Sequence, residues 1–306
     1  MLFGLSRIYF AMLLSYLLMF FIAIFAGFFG ALVGIGGGIV IVPALSIIFH
    51  LPIHTAIAAS IVSVIATSIA GARSYVDQQI TNVRLGMFLE ISTTFGALVG
   101  ALIGVMVQGW ILAMIFAALI FYMAVFSFRT RKIEDKMIED GVYEDRTSWD
   151  KISRSLKLAG DYHDDALRVK VDYHATRTIE GSLISSLAGV GSGMLGIGGG
   201  VIKVAAMNSL MGIPMKVAVA TSKFMIGVTA AISAVVYFLA GGIDFYVVAP
   251  VALGTMLGAT LGSAVMNKIH SRIIKTVFFI LMVYLGYQML ARGISLGFNI
   301  NLPGTL

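Results

Sequence analysis

Long apolar runs with almost no charge are the feature that most restricts how this chain can fold. The run from Ile8 to Val33 and the run from Val277 to Leu290 contain no charged residue. The first run has 26 residues, whereas a helix needs roughly 20 to cross about 30 Å of hydrocarbon. Because neither run alternates polar and apolar residues, both predict membrane-spanning helices and not the strands of a barrel.

Composition supports the same class of protein. Hydrophobic residues make up 59% of the 306 positions and charged residues only 12%, whereas a soluble domain is nearer half apolar and a quarter charged. We therefore expect an integral membrane protein embedded in a lipid bilayer. The N-terminal run could also be a signal peptide, but a counterpart of this segment in mid-chain, where no cleavage would occur, favours a retained helix. The absence of cysteine excludes disulfides and Cys-based metal sites.

The motif GIGGG occurs twice, at residues 34–38 and 196–200. A shift of 162 residues superposes the two copies and aligns further pairs, among them Pro52 with Pro214, Ser60 with Ser222 and Gly96 with Gly258. This register indicates two homologous halves. We expect a first transmembrane repeat over 1–128, a polar insert over 129–178 and a second repeat over 179–306. Each repeat should have one long helix before GIGGG, a short apolar piece after it and three further helices.

The insert is polar and almost neutral, with 11 basic and 12 acidic residues between Arg129 and Glu180. The net charge of +6 therefore comes from basic residues in and beside the membrane segments, which favours the positive-inside tendency over nucleic-acid binding. The segments SLKL (155–158) and LRVKVDYHA (167–175) alternate apolar and polar residues, and DYHDDA (161–166) supplies turn residues, so we expect a β-hairpin. Its aspartates and His163 could be read as a metal site. Interspersed charge on a solvated hairpin is the preferred interpretation, so no metal or other cofactor is expected.

The GIGGG motifs predict helix breaks within the membrane. The piece between Gly38 and Pro52 has about 13 residues, roughly 20 Å as a helix, which is short for a span. A helix broken in hydrocarbon must turn its free N–H and C=O groups toward protein, water or a ligand. Broken helices at equivalent places in two halves point to the central site of a transporter. The alternative is that glycines only permit close helix packing, which we prefer for isolated spacings such as Gly258 and Gly262.

Basic residues predict the orientation of the halves. If each short piece crosses the membrane or turns the chain back, the halves are inverted, and most basic residues outside the insert fall on its side: Arg73, Arg84, Lys216, Lys268, Arg272 and Lys275. Only Arg7 and Arg292 then lie opposite. This distribution satisfies the positive-inside tendency, so we expect the insert in the cytoplasm and both termini outside.

The segment GFFGALVGIGGGIVIVPAL (27–45), paired with GVGSGMLGIGGGVIKVAAM (189–207) across a polar linker, resembles the TauE/SafE sulfite exporter family of membrane permeases. The resemblance covers nearly the whole membrane portion. It implies transport of small anions, typically sulfite or sulfonated organic compounds, across the cytoplasmic membrane. Two departures are Ala205, where the first half has Pro43, and a longer insert whose role stays open.

Backbone amides after each break suit an anion, because they lie at the positive end of the following helix. We expect the substrate to bind these amides, nearby hydroxyls and lysines: Gly36, Gly37, Gly38, Ser60, Ser192, Gly198, Gly199, Gly200, Lys203, Thr221, Ser222 and Lys223. The two lysines are candidates because a charge buried in a membrane usually faces a cavity or a partner, although snorkelling to the interface is the alternative. Glu90 lies well inside a predicted span, where it could pair with a lysine or carry a coupling proton, and a structural role facing the pore is the alternative.

The expected function is that of an α-helical secondary transporter, which moves sulfite or another sulfur-containing or sulfonated anion as its two halves rock around the site. The alternatives left open are a membrane-embedded sensor and an anion channel, with the insert binding a partner. No pairing of acid and base and no set of metal ligands in the sequence points to an enzyme.

Overall fold

The computed structural model describes residues 2–33, 36–77, 79–140, 150–164, 169–265, 271–300 and 302–303. Nearly all of these residues are helical, and the described strands form one two-stranded sheet. Six of the described helices are long and apolar enough to cross a membrane. The predicted class, an all-α polytopic membrane protein with a small β-hairpin, is confirmed.

The elements follow the chain in three groups. The first half contains α1 (Leu2–Val33), α2 (Gly38–Ile48), α3 (Ile53–Asp77), α4 (Val83–Met106) and α5 (Gly109–Asp140). The insert contains α6 (Lys151–Ser155), β1 (Ala159–Asp164) and β2 (Val169–His174). The second half contains α7 (Thr178–Leu195), α8 (Gly200–Ala205), α9 (Met215–Leu239), α10 (Phe245–Val265) and α11 (Ser271–Phe298), and α8 continues directly into a π-helix (Ala206–Leu210).

The two halves have the same order of elements, as the repeat predicts. A long helix precedes each glycine motif (α1 and α7), a short helix follows it (α2 and α8), and three longer helices complete each half. Helix α5 continues past residue 128, the predicted end of the first repeat, to Asp140.

Glycines bring helices of different halves into direct contact. A side chain at Gly258 of α10 would overlap the Ile24 carbonyl of α1, and Gly262 meets the Phe28 carbonyl about one turn further along both helices. These two helices are therefore parallel. The equivalent pair, α4 and α7, is also parallel and also packs through glycines. The spacing of Gly258 and Gly262 serves close helix packing, as predicted.

Equivalent helices of the two halves run in opposite directions. Ser68 of α3 lies against Gly227 of α9, and Gly71 lies against Lys223, so these two helices are antiparallel. Helices α5 and α11 are antiparallel as well, because Gly286 and Gly293 of α11 meet progressively earlier residues of α5. Such a relation between equivalent helices is that of inverted repeats.

The helices form two packed units, and each unit includes one helix from the opposite half. The first unit consists of α1, α2, α3 and α10, and the second unit consists of α7, α8, α9 and α4. Helices α3 and α9 form the largest contact between the units, while α5 and α11 pack against one another. The packed units therefore do not coincide with the halves of the sequence.

The short helix of the second half turns the chain back. Gly199, just before α8, lies against Ala188 in the middle of α7. Met211, just after the π-helix, lies against Gly181 near the start of α7. The segment from Gly200 to Leu210 therefore runs antiparallel to α7 and returns toward the end at which α7 begins, which is the reversal that the inverted arrangement requires.

The insert forms a hairpin whose first strand differs from the prediction. Strand β2 covers most of LRVKVDYHA, but it pairs with AGDYHD, the segment predicted to supply the turn, and not with SLKL. The register pairs Tyr162 with Val171, and Tyr162 is buried. Cross-strand pairing and burial thus override the turn preference of the neighbouring aspartates. The His163 side chain, considered above as a metal ligand, lies outside the described residues.

The insert packs on the membrane helices at one end of the molecule. Leu158 and Tyr162 join a buried cluster with residues at the starts of α4 and α9 and just after the π-helix: Leu85, Met211 and Val217. Arg84 and Lys216 lie at this end. Arg292 lies at the opposite end, where it donates to the Leu51 carbonyl at 3.1 Å just before α3. The other orienting side chains lie outside the described residues: Arg7, Arg73, Lys268, Arg272 and Lys275.

Asp150 fastens the insert to α7. Its carboxylate accepts hydrogen bonds from the Ile152 amide at 3.3 Å, from the Thr178 amide at 3.0 Å and from the Thr178 hydroxyl. The hydrogen bond from that hydroxyl lowers the pKa of Asp150 below its usual value. One side chain thus caps α6 and binds the first residue of α7.

Candidate functional site

Both glycine motifs adopt a backbone conformation that glycine takes far more easily than other residues. Gly36 and Gly37 have φ angles of 84° and 81°, and their equivalents Gly198 and Gly199 have 78° and 64°. Residues with a side chain rarely adopt these left-handed angles. The turn that ends one helix and begins the next therefore requires the repeated glycines. Residues 34 and 35 of the first motif lie outside the described residues.

The two breaks contact one another. A side chain at Gly38 would overlap the Gly196 carbonyl, so the start of α2 lies against the end of α7. The Ser60 hydroxyl donates to the same Gly196 carbonyl at 2.7 Å, and the equivalent Ser222 hydroxyl donates to the Gly200 carbonyl at 3.3 Å. The predicted glycines and serines are brought together, but here both serine protons bind backbone carbonyls.

Lys203 and Glu90 form a buried ion pair after the second break. Lys203 is fully buried and donates to Thr229 Oγ1 at 2.7 Å. Thr229 donates in turn to Glu90 Oε1 at 2.6 Å, as does Thr94 at 3.2 Å. The Lys203 Nζ atom lies 3.9 Å from Glu90 Oε2. Glu90 thus pairs with a lysine, one of the predicted alternatives, and its role in carrying a coupling proton stays a prediction.

Lys223 has different partners and lies near the first break. Its Nζ donates to the Ala31 carbonyl at 3.4 Å, close to the C-terminal end of α1. The Cδ atom of the same side chain lies 3.5 Å from the position that a Cβ would take at Gly71. The C-terminal end of a helix carries partial negative charge, which a cation stabilises. The two predicted lysines therefore belong to different breaks.

Thr221 connects the predicted site to the insert. Its Oγ1 accepts a hydrogen bond from the Asn82 amide at 3.1 Å, and the Asn82 side chain caps α4 by accepting from the Leu85 amide at 3.0 Å. The side-chain amide of Asn82 also donates to the Tyr173 hydroxyl of β2 at 3.2 Å. Burial at this contact raises the pKa of Tyr173. Asn82 therefore binds both Thr221 and the insert.

Ser192 and the first turns of the short helices complete the predicted set. Ser192 is buried in α7, and its Cβ lies 3.2 Å from the position that a Cβ would take at Gly199. The residues that precede α2 and α8 are Gly37 and Gly199, so no side chain caps either helix. The first amides of these helices therefore need another acceptor.

Three residues of this region were not predicted: Thr229, Thr94 and Asn82. Thr229 carried a signal, because its equivalent Thr67 is also a threonine, and the Thr67 hydroxyl donates to the Gly36 carbonyl at 3.1 Å. Thr94 follows Glu90 by four residues, the spacing of neighbours on a helix face. Asn82 gave no signal beyond that of a helix cap. No group of three or more His, Asp or Glu side chains within the described ranges could hold a metal ion.

The chain is similar to one family model and to two proteins named as probable membrane transporters. The family model described as sulfite exporter TauE/SafE matches residues 19–289. The probable membrane transporter protein YunE of Bacillus subtilis (strain 168) is 26% identical over 291 residues, which cover 92% of this chain and 99% of the relative. The probable membrane transporter protein YdhB of the same organism is 24% identical over 278 residues, which cover 91% and 100%. No solved structure matches the chain.

Proposed function

Because the chain belongs to the sulfite exporter TauE/SafE family, we propose that this membrane transporter is a secondary transporter of a small anion. Membership of the family supports sulfite, or another sulfur-containing or sulfonated anion, as the substrate class. We infer that the protein lies in the cytoplasmic membrane with the insert on the cytoplasmic side. Arg84 and Lys216 lie at the insert's end of the molecule, which suits the positive-inside tendency.

The meeting of the two breaks at Gly38 and Gly196 is the observation that carries this proposal. Helix ends inside a membrane expose backbone groups that hydrocarbon cannot satisfy, and transporters use such ends to bind substrate. We propose that the anion binds the amides of Gly36–Gly38 and Gly198–Gly200 and the hydroxyls of Ser192 and Thr221. Ser60 and Ser222 would join this site when their bonds to the carbonyls open.

Lys203 and Lys223 supply the positive charge in this proposal. Each is buried and lies at one of the two breaks, so an anion between the breaks would be attracted from both sides. Glu90 is the proposed coupling residue, because its carboxyl group is buried beside Lys203 and can carry a proton between the two faces of the membrane.

The proposed moving parts are the two packed units. Rocking of the sequence halves, as expected from the repeat alone, would separate α1 from α10 and α4 from α7, which are the most extensive helix contacts among the described residues. Rocking of the first unit against the second unit keeps those contacts and changes the contact between α3 and α9. The segments 1–128 and 179–306 would then be repeats in sequence but not rigid bodies.

A sensor is the second candidate function. Hydrogen bonds connect Tyr173 of the insert through Asn82 to Thr221, and this connection favours a sensor. Through it, a partner bound to the insert could change the membrane site, and substrate in the membrane site could change the insert. Deletion of residues 141–175 would separate the two functions: a transporter keeps its uptake, whereas a sensor loses its signal although the membrane part folds.

Reconstitution into proteoliposomes tests the transport proposal. Uptake of labelled sulfite, thiosulfate and sulfoacetate should saturate, and unlabelled anion inside the vesicles should accelerate it, which a channel would not show. Lys223→Met should reduce uptake by about tenfold, a change of about 1.4 kcal/mol, and Lys216→Met, at an exposed lysine of the same helix, should leave it unchanged. Absence of uptake of all three anions by well-folded protein contradicts the proposal.

A further inference from the structure

The Lys203–Glu90 pair contains an unused donor and an unused acceptor. Glu90 Oε2 is buried and has no hydrogen-bond partner among the described residues. It lies 3.9 Å from Lys203 Nζ, beyond the range of a hydrogen bond. An ammonium group carries three donors, and the described residues provide a hydrogen-bond acceptor for one of them, Thr229 Oγ1. A ligand that accepts from Nζ would thus find donors that Glu90 does not use.

The Thr229 hydroxyl can form hydrogen bonds in both protonation states of Glu90. It has one proton and two acceptors in reach, Glu90 Oε1 at 2.6 Å and the Met225 carbonyl at 3.0 Å. While Glu90 is ionised, Thr229 can donate to it. When Glu90 is protonated, the carboxyl group becomes a donor, and the Thr229 proton can turn to Met225. Both states are therefore hydrogen-bonded without any movement of the backbone.

Two anions cannot share one buried cation at low cost, because like charges in a low-dielectric site repel strongly. An anion that binds Lys203 must therefore compete with ionised Glu90. We propose that Glu90 is the internal anion of Lys203, and that a substrate with a single negative charge binds Lys203 only after Glu90 takes up a proton. This inference rests on the proposed function, anion transport.

Proton uptake by Glu90 determines the charge of the substrate and couples its transport to protons. The proton comes from water on the side where the substrate binds and returns to water on the other side when the substrate leaves and Glu90 pairs with Lys203 again. One proton moves with each anion, in the same direction. A singly charged oxoanion such as a sulfonate then carries no net charge across the membrane, whereas a doubly charged anion carries one negative charge.

Among the residues that the structure describes, Lys203 is the charged group that faces Glu90. Helix α9 contributes the Thr229 hydroxyl, and α4 itself contributes the Thr94 hydroxyl. The other titratable residues of the helices packed on α4 have other surroundings: Arg177, Glu180 and Lys216 are exposed, Lys223 donates to α1, and the Tyr237 hydroxyl donates to the Met194 carbonyl. The charge that faces Glu90 is therefore that of Lys203, and Lys223 contributes its charge at the other break.

Glu90→Gln tests the coupling, because glutamine imitates the neutral carboxyl group. In proteoliposomes, the variant should still exchange labelled methanesulfonate for unlabelled methanesulfonate. It should lose the entry of protons that accompanies net uptake, measured with a pH dye inside the vesicles. Glu180→Gln, at an exposed acid of α7, should behave as the parent protein. A variant that still moves protons with methanesulfonate, or that folds but no longer exchanges it, overturns the proposal.

Binding to the unaltered protein gives a second measurement that does not depend on a variant. The probes are methanesulfonate, a monoanion, and thiosulfate, a dianion, because neither changes charge near neutral pH. Calorimetry in buffers of different ionisation enthalpy should show one proton taken up per methanesulfonate, and above the titration of Glu90 the affinity should fall tenfold per pH unit. Methanesulfonate binding without proton uptake overturns the internal-anion proposal. If neither probe binds or moves, the proposed function itself fails.

Discussion

The glycines of the two motifs differ in what a side chain would meet. At Gly36 a Cβ would lie 3.5 Å from Val64, an ordinary contact, so the positive φ is the main obstacle to a side chain. At Gly199 a Cβ would also lie 2.7 Å from the Ala188 carbonyl, a backbone atom that cannot move aside alone. A side chain at Gly36 would therefore meet only the conformational penalty of positive φ. A side chain at Gly199 would meet that penalty and a clash with the backbone of α7.

Alanine at these two positions should have unequal effects on stability. We expect Gly36→Ala to cost about 1–2 kcal/mol, the penalty of a left-handed conformation for an L-residue, and to purify as a single species. Gly199→Ala should lower the thermal midpoint further, because α7 and α8 must also separate. Thermal unfolding of the purified proteins in detergent measures both effects, and equal midpoints would contradict the assignment of a packing role to Gly199.

The Lys203–Glu90 pair should show strong coupling in a double-mutant cycle. Lys203→Met leaves Glu90 without its cation, so the buried carboxyl group must stay unpaired or take up a proton, at a cost of up to about 3–5 kcal/mol. The double variant Lys203→Met/Glu90→Gln removes both charges and should recover most of that loss. Thermal midpoints of the parent protein and the three variants give the coupling energy. If the double variant is no more stable than Lys203→Met alone, the two side chains do not depend on one another.

Residue type and position could be predicted for much of this site, but not the partners. Lys203 and Glu90 were both predicted as functional residues, because each is a charge within an apolar segment. Their contact could not be predicted, because α4 packs on helices of the other half. The sequence repeat does not indicate which helices pack on the opposite half. The Ser60 and Ser222 hydroxyls were predicted beside the breaks, yet both donate their protons to backbone carbonyls. These bonds could not be predicted, because they depend on where the ends of the helices lie.

At the scale of elements, the membrane helices were predictable because length, hydropathy and a repeated register all agree. The breaks were predictable because glycine is the residue that takes positive φ without strain. The first strand of the hairpin was not, because AGDYHD has little strand preference of its own. Its conformation depends on pairing with β2 and on the burial of Tyr162 against the membrane helices.

Attachment of the insert should weaken at acidic pH, because Asp150 becomes protonated there. Its pKa is lowered in the folded protein by the Thr178 hydroxyl, so the carboxylate contributes stability above its unfolded pKa. That contribution is lost as the pH falls through the lowered folded value. We expect amide protection in β1 and β2, corrected for intrinsic exchange rates, to fall in this acidic range while protection in α9 and α10 persists.

Substitution should reproduce the effect of acid at neutral pH. Asp150→Asn removes the charge that accepts from Thr178 and Ile152, and should lower protection in β1 and β2. Asp161→Asn is the matched control, because the Asp161–Lys170 ion pair, at 3.2 Å, is solvent-exposed and such pairs contribute little. Equal loss of protection in both variants would show that Asp150 is not the attachment point.

At the scale of the whole molecule, the absence of cysteine allows the moving parts to be identified by disulfides. The Ser68 Cβ lies 3.2 Å from the position that a Cβ would take at Gly227, across the contact between the units. The Ala31 Cβ lies 3.1 Å from the corresponding position at Gly262, inside the first unit. Both distances are slightly below the usual Cβ separation of about 3.8 Å in disulfides. A Cβ at Gly262 would also lie 2.6 Å from the Phe28 carbonyl, so each oxidised protein is compared with its own reduced form.

A disulfide between the units should stop transport, and one inside a unit should not. We expect oxidised Ser68→Cys/Gly227→Cys protein to lose uptake and to regain it on reduction. Oxidised Ala31→Cys/Gly262→Cys protein should transport at the rate of its reduced form. The opposite pattern, with loss of uptake only in the second pair, would indicate that the sequence halves move as bodies after all.

The parallel packing of α1 on α10 also determines when the protein can complete its fold during synthesis. Gly258 follows Ile24, its contact in α1, by 234 residues, which a ribosome adding ~5–20 residues per second needs roughly 12 to 47 s to make. Throughout that interval α1 is in the bilayer with the face that α10 will cover still open to lipid or to an assisting protein. A chain that ends before α10 leaves this face of α1 without its partner helix permanently.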